Sequence, residues 1–88
     1  MPIISQFYGI LISLYFNDKD KHNLPHLHVR YNENKASYDF DANLIEGSLP
    51  NKQRKMVEAW ILIHKDDLLT LWNLINEEGK FFKIEPLK

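Results

Sequence analysis

Hydrophobic and polar positions alternate along the first half of the chain. From Tyr8 to Phe16 the run "YGILISLYF" sets Ile10, Ile12, Leu14 and Phe16 against Leu11, Ser13 and Tyr15, the two-residue period of a half-buried strand. "HLHVRY", residues 26–31, sets Leu27, Val29 and Tyr31 against His26, His28 and Arg30. "ASYDFD", residues 36–41, sets Ala36, Tyr38 and Phe40 against Ser37, Asp39 and Asp41. The polar segments between them, "NDKDKHNLP" and "NENK", read as a loop and a short turn. Three strands in a meander are therefore predicted. "NLIEGSLP" reads as a short extended piece or a turn, and "FFKIEP" as a fourth, edge strand stopped by Pro86.

The period changes after Pro50, a residue suited to the first turn of a helix. Val57, Trp60, His64, Leu68, Leu71 and Ile75 recur at helical spacing, and neither Gly nor Pro appears from there to Glu78. One long C-terminal helix follows, bent or broken near His64 to Asp67 and capped by Gly79. Trp60 and Trp72 read as core at that spacing. The prediction is a single α+β domain over 1–88, with an antiparallel sheet of three to four strands packed on one face by this helix.

Register fixes what lies on the other face, because a one-residue slip would turn polar side chains into the core. Taking "NENK" as the turn pairs Leu27 with Phe40 and Val29 with Tyr38. His28 then faces Asp39, His26 faces Asp41, and Arg30 faces Ser37. The same rule applied to the first strand brings Tyr15 beside His28 and Ser13 beside Arg30. Tyr15, His26, His28, Arg30, Asp39 and Asp41 are thus expected on one polar surface.

Composition narrows the chemistry this surface could perform. The chain has 88 residues, no cysteine and a formal net charge of -1, so thiolate ligands, cysteine nucleophiles and disulfides are excluded, and there is no overall positive field. The apolar N-terminal run lacks a basic leader and is interrupted by Ser5, Gln6 and Ser13, which reads as a cytoplasmic protein without membrane association. Oligomeric state is left open.

Three readings compete for the histidine row. Histidine exchanges protons near neutrality, a carboxylate can orient it, and a guanidinium can hold phosphate, so His26, His28, Arg30, Asp39, Asp41 and Tyr15 suit a metal-independent ribonuclease with no cofactor. His26 and His28, with His22, could instead ligate a divalent metal such as zinc. A row of cross-strand pairs on a solvated face is the plainest alternative. Separately, Lys52, Arg54 and Lys55 crowd a helix start where cations are disfavoured, so "GSLPNKQRK" could hold an anion.

Laid end to end, "ISQFYGILISLYFND", "PHLH", "IEGSLP", "VEAW", "HKDDLLTLW" and "KIEPL" resemble the bacterial domain of unknown function 4160 family. Its approximate Asp-His-x-Pro-Pro-His-Phe-His signature falls on His22, Pro25, His26 and His28, with Leu24 and Leu27 departing from it. The resemblance implies a toxin-like component of a toxin-antitoxin pair, with a small antitoxin-like protein as partner. RNA is then the expected target if the protein is an enzyme, and a non-enzymatic metal-binding or protein-interaction module is the alternative.

Overall fold

Alternation in the N-terminal half builds a five-stranded antiparallel sheet, and the helical period builds two helices, in a computed structural model that describes residues 2–14 and 24–87. The strands are β1 (Ile3–Phe7), β2 (Ile10–Ser13), β3 (His26–Tyr31), β4 (Asn34–Asp39) and β5 (Leu44–Gly47), neighbours in chain order. The helices are α1 (Asn51–Ile63) and α2 (Lys65–Glu78). Among the described residues no helix is long and apolar enough to cross a membrane. The α+β class holds, with more strands than the three to four expected.

The first extra strand comes from a turn hidden in an apolar run. Tyr8 and Gly9 take φ of 50° and 79°, the paired positive values that let a two-residue turn follow the twist of a hairpin. The expected strand from Tyr8 to Phe16 is therefore the β2 half of a β1–β2 hairpin, and residues 15–16 lie outside the described region. The second extra strand is β5, where "NLIEGSLP" begins. "FFKIEP" forms no strand; it runs beside β1, held by the Ile84 N–H donating to the Ile4 carbonyl at 2.7 Å and Trp60 Nε1–H donating to the Glu85 carbonyl at 2.9 Å.

One face of the sheet carries the core. Ile10, Ile12 and Leu14, then Leu27 and Val29, then Ala36 and Tyr38 are buried, and they meet Val57, Trp60 and Ile61 of α1 and Leu68, Leu71 and Ile75 of α2. Tyr38 is wholly buried, yet its hydroxyl reaches Glu58 at 3.3 Å; burial and that carboxylate push its pKa up to about 12. The helix breaks at one residue, His64, whose ring packs 5.2 Å from that of Trp60 and whose Nδ1 lies 3.7 Å from Asp67. Asp66 and Asp67 fall in the first turn of α2, where the dipole favours them. Gly79 ends α2 at φ 66°, as a left-handed cap.

Gly47 occupies the tightest place in the sheet. A Cβ there would lie 2.0 Å from the Lys35 carbonyl oxygen, and its φ of 81° disfavours any side chain; at Gly79 the space is open. We expect Gly79→Ala to cost about 1 kcal/mol, the left-handed penalty alone, and Gly47→Ala to cost roughly 3 kcal/mol or more because the β4–β5 pairing must also move. Urea unfolding of both variants checks this, and equal losses would contradict the close approach.

Candidate functional site

Strand β3 lies at the centre of the sheet, and its outward side chains are set by its pairing on both sides. The turn to β4 is Asn32–Glu33, two residues rather than four, with Asn32 at φ 54°, which asparagine tolerates. Tyr31 consequently pairs with Asn34, and the expected register is corrected by two residues: His26 faces Asp39, His28 faces Ser37 and Arg30 faces Lys35. A shift of two preserves the faces but changes every partner. The β2–β3 pairing moves likewise, so Ser13 stands opposite His28 and Leu11 opposite Arg30.

One continuous row crosses all five strands through these pairings: Ile3, Ser13, His28, Ser37 and Glu46. A second row, Gln6, Leu11, Arg30 and Lys35, runs beside it. The first row, with Leu11, Arg30 and Lys35 of the second, lines a shallow concavity of about 470 Å³ on the face away from the helices. Ser37 Oγ and His28 Nδ1 are in hydrogen-bond contact at 3.3 Å. Arg30 and Lys35 are directly opposed, an arrangement that costs stability for like charges, and among the described residues neither has a carboxylate partner. Arg30 Nε donates to the Asn32 carbonyl at 3.4 Å. The combination is a hydroxyl–imidazole contact beside two uncompensated cations, which suits a phosphate-bearing ligand.

The remaining predicted residues separate from this cluster. His26 is 2% exposed; its Nδ1–H donates to the Leu24 carbonyl at 2.9 Å, and its ring lies 5.4 Å from Trp72 and 5.2 Å from His28. It therefore links the core to His28 at the start of β3 instead of lining the concavity. Asp39 does not face His28. Its carboxylate accepts the Asp41 and Asn43 N–H groups, each at 2.9 Å, and the Asn43 side-chain amide at 3.1 Å, which ties the β4–β5 turn. Asp41 does not face His26; it pairs with Lys65 of α2. Tyr15 and His22 lie outside the described residues, and so does any metal set that includes His22. Among the described residues no group of three or more His, Asp and Glu side chains is placed to hold a metal ion.

At the start of α1, Arg54 is engaged by Glu58 at 3.2 Å and Asn51 at 3.3 Å, while Lys52 and Lys55 are exposed. Nothing at α1 resembles the convergence on the sheet. Sequence reasoning missed Ser37 and Lys35 as partners of His28 and Arg30, and missed Glu46. The turn dipeptide Asn32–Glu33 between alternating runs was the signal for the first two.

A family model for a domain of unknown function (DUF4160) matches residues 9–73, well over half of the 88, and the chain belongs to that family. Comparison with curated proteins and with solved structures gave no match.

Asp39 gives this region an acid sensitivity. Partial burial pushes its carboxyl up, but the Asn43 backbone and side-chain donors, then the Asp41 N–H and the Lys65 charge, outweigh that and hold it below its ordinary value. A folded value below the unfolded one stabilises above about pH 4 and is lost as pH falls through the folded value. Asp39→Asn is expected to lower stability at pH 7 by on the order of 1 kcal/mol. The gap from the wild type should close as acid is added; a gap unchanged from pH 7 to pH 2 in urea titrations would contradict the role.

Proposed function

We propose that this member of the DUF4160 family acts on RNA at the open face of its sheet, as the toxin-like component of a bacterial pair whose partner is a small antitoxin-like protein. The observation that carries the reading is the placing of Arg30 and Lys35, which have no carboxylate partner among the described residues, beside the Ser13–His28–Ser37 row. Arg30 and Lys35 hold one phosphate of the backbone. His28 accepts the proton of the adjacent ribose 2′-hydroxyl as its oxygen attacks phosphorus. The P–O5′ bond breaks, the departing 5′ oxygen takes a proton from solvent, and the products are a 2′,3′-cyclic phosphate and a 5′-hydroxyl. Ser37 orients the imidazole, and no metal is required by this set of groups.

A second reading, a non-enzymatic interaction module, draws support from a different surface. Leu62 and Ile63 at the end of α1 are 59% and 66% exposed, large apolar side chains of the kind that partners cover.

Expression in a bacterium, with RNA cleavage by the purified protein, separates the two. Under the RNA reading His28→Ala loses at least about a hundredfold in cleavage and relieves growth arrest, with a melting temperature close to wild type because the side chain lies on the open face. Arg30→Ala and Lys35→Ala each weaken RNA binding and reduce its salt dependence. Arrest that persists in all three variants and disappears with Leu62→Ser or Ile63→Ser would instead support the interaction module.

A further inference from the structure

Both edge strands of the sheet carry an irregularity in register, and each delivers an outer side chain to the open face. In β1 it lies between Ile3 and Ser5, and Ile3 comes opposite Ser13. In β5 Leu44 stands opposite the buried Tyr38, on the helix side, while Glu46 stands opposite Ser37, on the open side. Strict alternation from Leu44 would send Glu46 to the helix side. One inserted residue turns it round, the known use of a bulge to re-aim a side chain. Gly47 then fixes the result, since only glycine fits where the chain closes on Lys35 and the Ser48 N–H donates to the Lys35 carbonyl at 3.0 Å.

The fold thus places a carboxylate on a face that also presents two cations. Glu46 is exposed, lines the concavity with Arg30 and Lys35, and forms an ion pair with neither. A plain phosphate would be repelled by it. A ligand with an anion at one end and N–H donors at the other satisfies both. Strand spacing sets Glu46 two strands, about 10 Å, from His28, the reach of one nucleotide from its phosphate to the far edge of its base. Stacking on a ring or guanidinium plane such as those of His28 and Arg30 tolerates any base, so it does not supply a base preference. Hydrogen bonding to the base edge is what discriminates one base from another.

An ionised carboxylate only accepts, through two oxygens side by side. Among the four bases guanine alone offers two adjacent donors on its Watson–Crick edge, N1–H and the 2-amino group. We propose that Glu46 selects guanine in the nucleotide bound beside His28. This rests on the RNA reading and extends it to substrate choice.

Short single-stranded RNA oligonucleotides that differ at one position, carrying G, inosine, A, C or U, test the proposal with wild type, Glu46→Gln and His28→Ala, read by cleavage and by fluorescence anisotropy. The wild type is expected to favour G over A, C and U by roughly ten- to a hundredfold, and to lose much of that with inosine, which lacks the 2-amino group. Glu46→Gln should collapse the ratio. RNA bound or cleaved without base preference, or a guanine preference that survives Glu46→Gln, overturns the selection of guanine and leaves the RNA reading standing. No binding and no cleavage by the wild type overturns both.

Discussion

The two-residue period of β3 is the constraint on which the rest of this structure depends. Leu27 and Val29 are committed to the core, and with them His28 and Arg30 are committed to the opposite face. Each apolar side chain removed from water contributes about 1.5–3 kcal/mol, so a slip of one residue would cost several times the value of any pairing on the polar face. A slip of two costs far less, because it exchanges one apolar neighbour for another. The core therefore determines which side chains face outward, and the turns determine which of them meet.

That division explains what could be read from the residues alone. The alternation gave the correct faces from Leu27 to Arg30 and from Ala36 to Tyr38, though not the burial of His26 against Trp72, and the helical spacing from Val57 to Ile75 gave the helices and their break at His64. Partners depended on turn length, and "NENK" taken as four residues displaced every pair by two from the register that Asn32–Glu33 imposes. The β1 strand was hidden because Tyr8–Gly9 makes its turn inside an apolar run, without the polar residues that mark most loops. Glu46 was illegible for a different reason. A bulge breaks the period by which outward residues are recognised, and the close approach at Gly47 that accompanies it is a tertiary contact with Lys35.

The carboxylates show how the corrected register changes the chemistry of the face. In the expected register His28 would have faced Asp39 and His26 would have faced Asp41; in the observed one Asp39 stands opposite His26 but turns its carboxylate to the turn. In the structure both serve the turn after β4: Asp39 gathers three N–H donors there, and Asp41 joins the turn to α2 through Lys65. The face is left with hydroxyls beside His28 and with two cations that have no acidic partner among the described residues. Such a surface is electrostatically incomplete without a ligand, which a surface of compensated cross-strand pairs would not be.

In the reading proposed for this face, His26 and His28 divide into support and chemistry. They share an alternation class, and their rings lie 5.2 Å apart. Yet His26 sits at the first residue of β3, where Pro25 brings the chain into the sheet and Trp72 closes against its ring, so burial and the bond to the Leu24 carbonyl hold it in place. The ring it presents to His28 is consequently rigid. A pair of histidines equally exposed to solvent would each need to be ordered by the ligand; one fixed by the core supplies a wall against which the other is positioned, and ordering entropy is spent in folding and not again in binding.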